Sequence, residues 1–178
     1  IPTKIKDHLL NESFLSVKRR AKYLLLETTK GSAIVHLGMS GSLRIIKDSE
    51  PPGKHDHFDI IFDDGLALRY RDPRRFGSFL WSNNPLSHPL LNKLGPEPLE
   101  NLFTGDYLWS KACKRKVSIK QFIMNAQIVV GVGNIYASES LFMAGINPRR
   151  QAGRISKLRM EKLVASIKNI LLQAIDAG

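Results

Sequence analysis

The chain has 178 residues, 43% of them hydrophobic, so it can bury the core of one substantial domain or of two small ones. Its 27 Lys and Arg against 16 Asp and Glu give a net charge of +11, which argues against an enzyme for small neutral substrates. A polyanionic partner, most naturally nucleic acid, is expected. A charge excess that only aids solubility, or that docks on an acidic protein, is the alternative.

Cysteine content and hydropathy limit the class of protein further. The single cysteine, Cys113, excludes an intrachain disulfide and a four-cysteine zinc site within these residues, and it fits a reducing, cytoplasmic compartment. No hydrophobic run approaches the roughly 20 residues that span a bilayer. Ile1 is not an initiator methionine, so we expect the sequence to begin either after processing or inside a longer protein.

The first half of the chain has the short hydrophobic segments and turn residues of an antiparallel sheet. Asp63-Asp64-Gly65 is typical of a hairpin turn, because glycine accepts the positive φ that such turns require. The predicted strands are Tyr23–Glu27, Ala33–Leu37, Ser42–Ile46, Phe58–Phe62, Leu66–Tyr70 and Phe79–Trp81.

A proline-rich stretch, Leu94–Leu99, is expected to separate this region from a helical one, since neither of its prolines can donate a backbone hydrogen bond. We therefore predict a β domain over residues 1–93, a linker over 94–99 and a helical domain over 100–178. Within the last, helices are predicted at about residues 116–126, from Asn134 to Ala144 with Gly145 as the stop, and from Ser156, as N-cap, to Ala177. The fold class is α+β.

A glycine-rich segment, Gly131-Val132-Gly133-Asn134, leads directly into the second predicted helix. Glycines let the backbone approach a ligand closely, and the free amides of a helix N-terminus favour an anion. Asn134 is expected at the N-cap, with its side-chain amide able to donate to a phosphate. A tight turn that binds nothing is an equally good interpretation of these residues taken alone.

Five longer motifs follow one another along the chain: Arg19–Leu26, His36–Arg44, Asp72–Gly77, Leu94–Leu99 and Val129–Glu139. Together they resemble the motifs of the formamidopyrimidine-DNA glycosylase family. The resemblance implies an antiparallel β-sandwich followed by a helix–two-turn–helix domain. It also implies a monomeric base-excision repair enzyme that removes oxidised purines from double-stranded DNA and nicks the abasic site.

Enzymes that turn a damaged base out of the duplex need side chains to fill the gap. Met39, Arg74 and Phe76 match the family's insertion residues: a flexible thioether, a guanidinium for the opposite cytosine and an aromatic wedge. For Met39 and Phe76 the alternative is ordinary core packing.

The resemblance also assigns residues to the DNA backbone. Lys22 matches the family's catalytic lysine near the active site, and a solvated lysine is its alternative. In the cluster Lys111, Lys114, Arg115 and Lys116 the alternative is a solvated helix face. Glu139 is expected to order its own loop. The residues that match DNA-contacting positions are His55, Arg74, Arg115, Lys120, Asn134 and Tyr136.

The sequence departs from the family pattern at both ends. Family members begin with a nucleophilic proline followed by a glutamate and end with a four-cysteine zinc finger, whereas this chain begins Ile1-Pro2 and stops at Gly178. The expectation is therefore a fragment that binds no zinc itself and is inactive alone. A metal site at His55-Asp56-His57 is not expected, since a third ligand is missing.

Three alternatives stay open on the sequence alone. An endonuclease VIII-like glycosylase for oxidised pyrimidines is the first, although its insertion residues are placed differently. A non-catalytic DNA-binding fragment is the second. An RNA-binding structural protein is the third, but it would not need the Asp72–Phe76 loop.

Overall fold

The computed structural model describes residues 5–177, so the predicted features of Ile1 and Pro2 lie outside the described range. The chain divides into two compact units, Ile1–His88 and Pro89–Gly178. Residues 94–99 belong to the second unit, where the Gly95 amide donates to the Ala126 carbonyl at 2.8 Å and the Val130 amide donates to the Pro96 carbonyl at 3.2 Å.

The first unit is built from a short helix and two antiparallel sheets. One sheet has the order β1-β2-β3-β7 and the other the order β4-β6-β5. The elements are α1 Ile5–Leu9, β1 Ser16–Arg20, β2 Tyr23–Glu27, β3 Ser32–His36, β4 Ser42–Lys47, β5 Asp56–Ile61, β6 Leu66–Arg71 and β7 Ser78–Ser82.

The two sheets pack face to face as a sandwich. Leu26, Val35 and Phe79 of the first sheet form a buried cluster against which Phe58 and Leu68 of the second sheet pack. The rings of Phe58 and Phe79 meet edge to face, with their centroids 4.7 Å apart. Burial of side chains from both inner faces excludes water from the space between the sheets, which is the main stabilising contribution in such a fold.

The six predicted strands are all present, and their ends differ from the prediction by two residues or fewer. The predicted hairpin turn is confirmed, with Gly65 at φ +78° between β5 and β6. β1 was not predicted, because its three central residues are exposed and give no hydrophobic alternation. Exposed cations of this kind are common on edge strands.

A buried arginine ties the loop before β5 to the second sheet. Arg69 on β6 is 6% exposed and donates to both carboxylate oxygens of its cross-strand partner Asp59, at 2.9 and 2.8 Å. It also donates to the carbonyls of Glu50 and Pro51. The hydrogen bond from Arg69 lowers the pKa of Asp59. This pairing fixes the chain just before His55.

The second unit is helical and is packed around its last helix. The 3₁₀ turn Ala152–Arg154 precedes this helix, which buries Met160, Leu163 and Ile167 against the others. Among residues 5–177, no helix is both long and apolar enough to cross a membrane. The helices are α2 Gly105–Ala112, α3 Ile119–Met124, α4 Asn134–Met143 and α5 Lys157–Ala177.

Both ends of α3 differ from the prediction, and two helices, α1 and α2, were missed. α3 is shorter than 116–126, because Ser118 caps its start by accepting from the Gln121 amide and Asn125 ends it. α2 was not predicted, although its Thr104 cap accepts from the Tyr107 amide at 3.1 Å. A Thr followed by an acidic first turn and by apolar residues four apart was the available signal.

Adjacent residues of α4 allow a matched test of the helical core. Leu141 is 1% exposed and Phe142 is 87% exposed. Leu141→Ala leaves a cavity and is expected to lower the free energy of unfolding of the second unit by about 2–5 kcal/mol. Phe142→Ala is expected to change it by less than about 0.5 kcal/mol. Urea denaturation followed by far-ultraviolet circular dichroism measures both, and equal losses would contradict the described packing.

Candidate nucleic-acid interface

A buried carboxylate organises one end of the first unit. Asp72 follows β6 and is 0% exposed. Its Oδ1 accepts from the Ser40 hydroxyl at 2.7 Å and from the Arg74 amide at 3.2 Å. Its Oδ2 accepts from the Gly77 amide at 2.9 Å and from the Tyr70 hydroxyl at 3.1 Å. Four donors from three segments therefore converge on one charge.

These hydrogen bonds join two surface turns, residues 37–41 and residues 72–77, which we call the paired turns. Gly38, at φ +67°, passes so close to the other turn that a Cβ would lie 2.7 Å from the Phe76 carbonyl carbon. At Gly77 a Cβ would overlap the Tyr70 hydroxyl. Only glycine fits both positions without displacing backbone or the buried tyrosine.

The paired turns present the three predicted insertion residues together. Met39 is 74% exposed and Phe76 is 58% exposed, so core packing is excluded for both. Arg74 is exposed, and its guanidinium carbon lies 4.8 Å from the centroid of the Phe76 ring. An apolar, a cationic and an aromatic side chain thus project from a rigid backbone, as an element that enters a base stack requires.

Titration at this site is governed by burial and by the convergent hydrogen bonds. Burial alone would raise the pKa of the Asp72 carboxyl, but the hydrogen bonds, led by that from the Gly77 amide, outweigh it and hold the pKa of Asp72 well below its ordinary value. Burial, together with the hydrogen bond to Asp72 and its charge, raises the pKa of Tyr70 to about 12. At neutral pH the pair is therefore a carboxylate and a phenol.

Lys22 lies exposed in the turn between β1 and β2, next to Ala21 at φ +55°. The structure brings it close to His36, which sequence reasoning did not select. Burial, and then the charge of Lys22, lower the pKa of His36. His36 could have been noticed as the first residue of the His36–Arg44 motif, but nothing in the sequence showed that the charge of Lys22 would act on its ring.

The two histidines near β5 have separate surroundings. His55 is half-buried, and its carbonyl accepts from the Asp72 amide at 3.1 Å. Nε2 of His57 lies 2.8 Å from the Asp72 carbonyl oxygen. His57 thus supports the backbone of the paired turns. Among residues 5–177 no group of three or more potential ligands could hold a metal ion.

In the second unit the glycine-rich turn leads into α4 as predicted, but the predicted N-cap residue was wrong. Gly133, not Asn134, is the N-cap, and it has no side chain to accept a hydrogen bond. Asn134 is the first helical residue because Gly133 takes the extended conformation of the cap, at φ −88° and ψ −177°. The amides of the first turn of any helix lack intrahelical acceptors, so a glycine cap keeps them available to an anion.

The side chains of this turn are divided between core and surface. Val129 and Val132 are buried and anchor the turn, and Gly131 reverses the chain at φ +79°. Asn134 is exposed and Tyr136 is half-buried. Glu139 is exposed on the same helix. The predicted role of Glu139 in ordering the loop stays a prediction.

Backbone pairing gathers cations that are distant in sequence. The Gly153 amide donates to the Arg115 carbonyl at 3.0 Å, the Ala152 amide to Val117 at 2.9 Å and the Ile119 amide to Arg150 at 2.8 Å. This pairing places two basic segments side by side. We call their exposed cations the cationic ridge: Lys114, Arg115, Lys116, Arg149, Arg150 and Arg154.

The three arginines from the second segment were missed by sequence reasoning, because only the fold brings Arg149, Arg150 and Arg154 beside the predicted cluster. Lys111, also in that cluster, lies 5.7 Å from the centroid of the Tyr107 ring. Lys120 is half-buried and lines a depression of about 530 Å³ together with Ser138 and Phe142.

Comparisons with known proteins agree with this geometry. Residues 1–79 match the model of the formamidopyrimidine-DNA glycosylase N-terminal domain and residues 94–178 match that of the formamidopyrimidine-DNA glycosylase H2TH domain. A crystal structure of Lactococcus lactis formamidopyrimidine-DNA glycosylase, non-covalently bound to DNA with an AP site, superposes with a TM-score of 0.86 at 32% identity. It covers 97% of this chain, which covers 67% of that one. The chain belongs to the formamidopyrimidine-DNA glycosylase family.

Curated members of the family are more similar in sequence. The formamidopyrimidine-DNA glycosylase of Nitrosococcus oceani is 56% identical over the whole of this chain, and that of Hydrogenovibrio crunogenus is 57% identical over 92% of it. The chain spans 66% of the length of the first relative and 59% of the second. A structure of MutM in complex with DNA containing carbocyclic 8-oxo-G superposes with a TM-score of 0.87.

The ionised state of Asp72 can be tested through the pH dependence of the stability of the first unit. A carboxyl whose folded-state pKa is depressed contributes stability above its ordinary pKa of 3.8 and loses it as the pH falls below that value. Asp72→Asn is expected to lower the urea midpoint of the first unit at about pH 7, and the difference from wild type should shrink on acidification toward about pH 2. Trp81 fluorescence in a Trp109→Phe background reports this unit.

Asp63→Asn, in the exposed hairpin turn, is the matched control and should leave the midpoint unchanged. A stability difference between wild type and Asp72→Asn that stays constant across this pH range would contradict the proposed ionised state of Asp72.

Proposed function

We propose that this family member is a base-excision repair glycosylase that binds double-stranded DNA and removes oxidised purines, among them 8-oxoguanine and formamidopyrimidines. The observation that carries the proposal is the joint exposure of Met39, Arg74 and Phe76 on turns locked by Asp72. Relatives support it, since solved structures of Lactococcus lactis Fpg hold DNA that contains Fapy-dG or an abasic site.

Each exposed side chain has a chemical role in this proposal. After a base leaves the stack, Met39 and Phe76 replace the lost apolar contacts, and the Arg74 guanidinium donates to the exposed edge of the opposite cytosine. Stacking of Arg74 over the Phe76 ring preorganises the guanidinium, so less conformational entropy is lost on binding. The RNA-binding alternative is wrong, since both halves of the chain match glycosylase domain models.

The second unit is proposed to hold the sugar–phosphate backbone. The amides at the start of α4, with Asn134 and Tyr136, bind one phosphate region, and the cationic ridge, together with Lys120, binds neighbouring phosphates by charge. His55 is proposed as a further contact from the first unit. Lys22 is proposed to assist the elimination that nicks an abasic site. We further propose that the protein acts as a monomer in the cytoplasm.

The chemical steps are proposed to need a nucleophile that these residues do not supply. By family resemblance the nucleophile is an N-terminal proline amine, and the nitrogen of Pro2 is an amide without nucleophilic power. We therefore propose that the 178-residue chain binds DNA without cutting it. A zinc ion is proposed only for a finger of the longer family members.

A chimera tests the catalytic competence of these residues. The 178 residues replace the corresponding part of the Nitrosococcus oceani relative, and the folded chimera is incubated with a duplex carrying 8-oxoguanine opposite cytosine in the presence of borohydride. We expect a covalent protein–DNA adduct in amounts similar to those formed by the unmodified relative. The isolated chain should bind the duplex and form no adduct. A folded chimera that binds DNA but gives no adduct would overturn the enzymatic assignment.

The cationic ridge is tested by salt dependence. Each phosphate contact contributes about 0.9 to the slope of log affinity against log salt concentration. The triple change Arg149→Gln, Arg150→Gln and Arg154→Gln is therefore expected to reduce the magnitude of this slope by about 2–3 for an undamaged duplex. Lys157→Gln is the control, because Lys157 is ion-paired with Asp106 at 2.7 Å. An unchanged slope in the triple variant would exclude these three arginines of the ridge from the interface.

A further inference from the structure

The turn that carries Met39 has a second anchor besides Asp72. The Gly38 amide donates to Nδ1 of His36 at 3.1 Å. A ring nitrogen accepts a hydrogen bond only when it carries no proton, so this contact requires a neutral imidazole with its proton on Nε2. Gly38 then takes φ +67° and turns the chain toward Met39.

The surroundings of His36 favour the neutral ring. From the turn before β2, Lys22 adds positive charge, and on β2 itself the Tyr23 ring lies 5.1 Å from the imidazole. On the side of β7 the cross-strand partner is Ser78, which carries no charge. From the second sheet, the Tyr70 hydroxyl and the Asp72 carboxylate approach the neighbouring Gly77. Burial, and then the charge of Lys22, lower the pKa of His36.

The two anchors of the Met39 turn respond differently to acid. The Ser40 hydroxyl is held by Asp72, whose carboxylate keeps its charge far below neutral pH. The Gly38 amide is held by His36, whose acceptor is lost when the ring gains a proton. Protonation would place two N–H groups against each other and add a charge beside Lys22. One end of the turn can therefore loosen while the other stays fixed.

We propose that His36 is a positioning residue whose neutral imidazole holds the Met39 turn in the conformation that fills the gap of an abasic or base-flipped duplex. Protonation of the ring releases the turn and weakens binding to such DNA. This proposal rests on the proposed function. The effect has a distinctive sign, because adding a proton to a histidine at a phosphate contact strengthens binding, whereas adding one to His36 weakens it.

The first experiment needs no DNA. The Gly38 amide of the isotope-labelled chain is followed by NMR from about pH 7.5 to about pH 5. We expect its chemical shift to titrate with a midpoint below 6.5, the ordinary pKa of histidine. In His36→Asn the side-chain oxygen accepts from the amide two residues on and does not titrate, so the Gly38 shift should stay constant. A Gly38 amide that is insensitive to pH in the wild type would overturn the proposal.

The second experiment measures affinity for a duplex with a tetrahydrofuran abasic-site analogue opposite cytosine. Losing one hydrogen bond is expected to weaken wild-type binding about fivefold between about pH 7.5 and about pH 5.5, relative to His36→Asn. His36→Ala should bind about fivefold more weakly than wild type at the higher pH, and His36→Asn should restore that affinity. His88→Asn is the control and should keep the wild-type pH profile.

The outcomes separate the two proposals. If His36→Asn keeps the wild-type pH dependence, or if His57→Asn abolishes it, the role of His36 is wrong while the proposed function stands. If the wild type shows no preference for the abasic duplex over an intact one, the proposed function fails, and the proposal for His36 fails with it.

Discussion

The buried carboxylate of Asp72 is the interaction on which the exposed end of the first unit depends. A charge removed from water is costly unless hydrogen bonds replace the lost hydration. Asp72 accepts from Ser40, Tyr70, Arg74 and Gly77, so satisfying one charge fixes the backbone on both sides of it. The surface beyond can then carry Met39, Arg74 and Phe76 without a supporting core of its own. The hydrogen bonds to the buried carboxylate thus make the turns rigid, and this rigidity lets the turns keep large side chains exposed.

The second unit uses backbone geometry for a different purpose. A glycine cap at Gly133 leaves helix amides open to an anion, and the pairing of residues 115–119 with residues 150–153 concentrates exposed cations on one surface. Neither the free helix amides nor the exposed cations recognise a base, which suits a unit proposed to bind the sugar–phosphate strand. In the proposed function, the base-directed side chains lie in the first unit and the phosphate-directed groups mostly in the second.

Much of the fold could be predicted from the sequence, because hydrophobic periodicity and turn residues are local signals. Strands such as Tyr23–Glu27 and the helix that begins at Asn134 were found in this way. β1 was missed since an exposed edge strand has no alternation. The insertion residues came from family resemblance, whereas Asp72 gained its meaning only when the fold brought Ser40 and Gly77 to it. The position of Arg149 likewise depends on pairing between segments that are far apart in sequence. The proposed role of His36 depends on a hydrogen bond with Gly38 that the sequence pattern does not reveal. The N-cap assignment of Asn134 failed by one residue, because glycine and asparagine are both acceptable caps.

We propose that the paired turns enter the gap left by a missing base, and the methyl group of Met39 can report this insertion directly. In the chain labelled at its methionine methyls, Met39 is exposed and Met160 is buried in the helical core. With a duplex that carries a tetrahydrofuran site opposite cytosine, we expect a large upfield ring-current shift of the Met39 methyl, and no comparable shift of Met160. An intact duplex should produce a much smaller change at Met39. A Met39 methyl resonance that stays at its free position in the saturated abasic complex would show that the paired turns do not enter the gap.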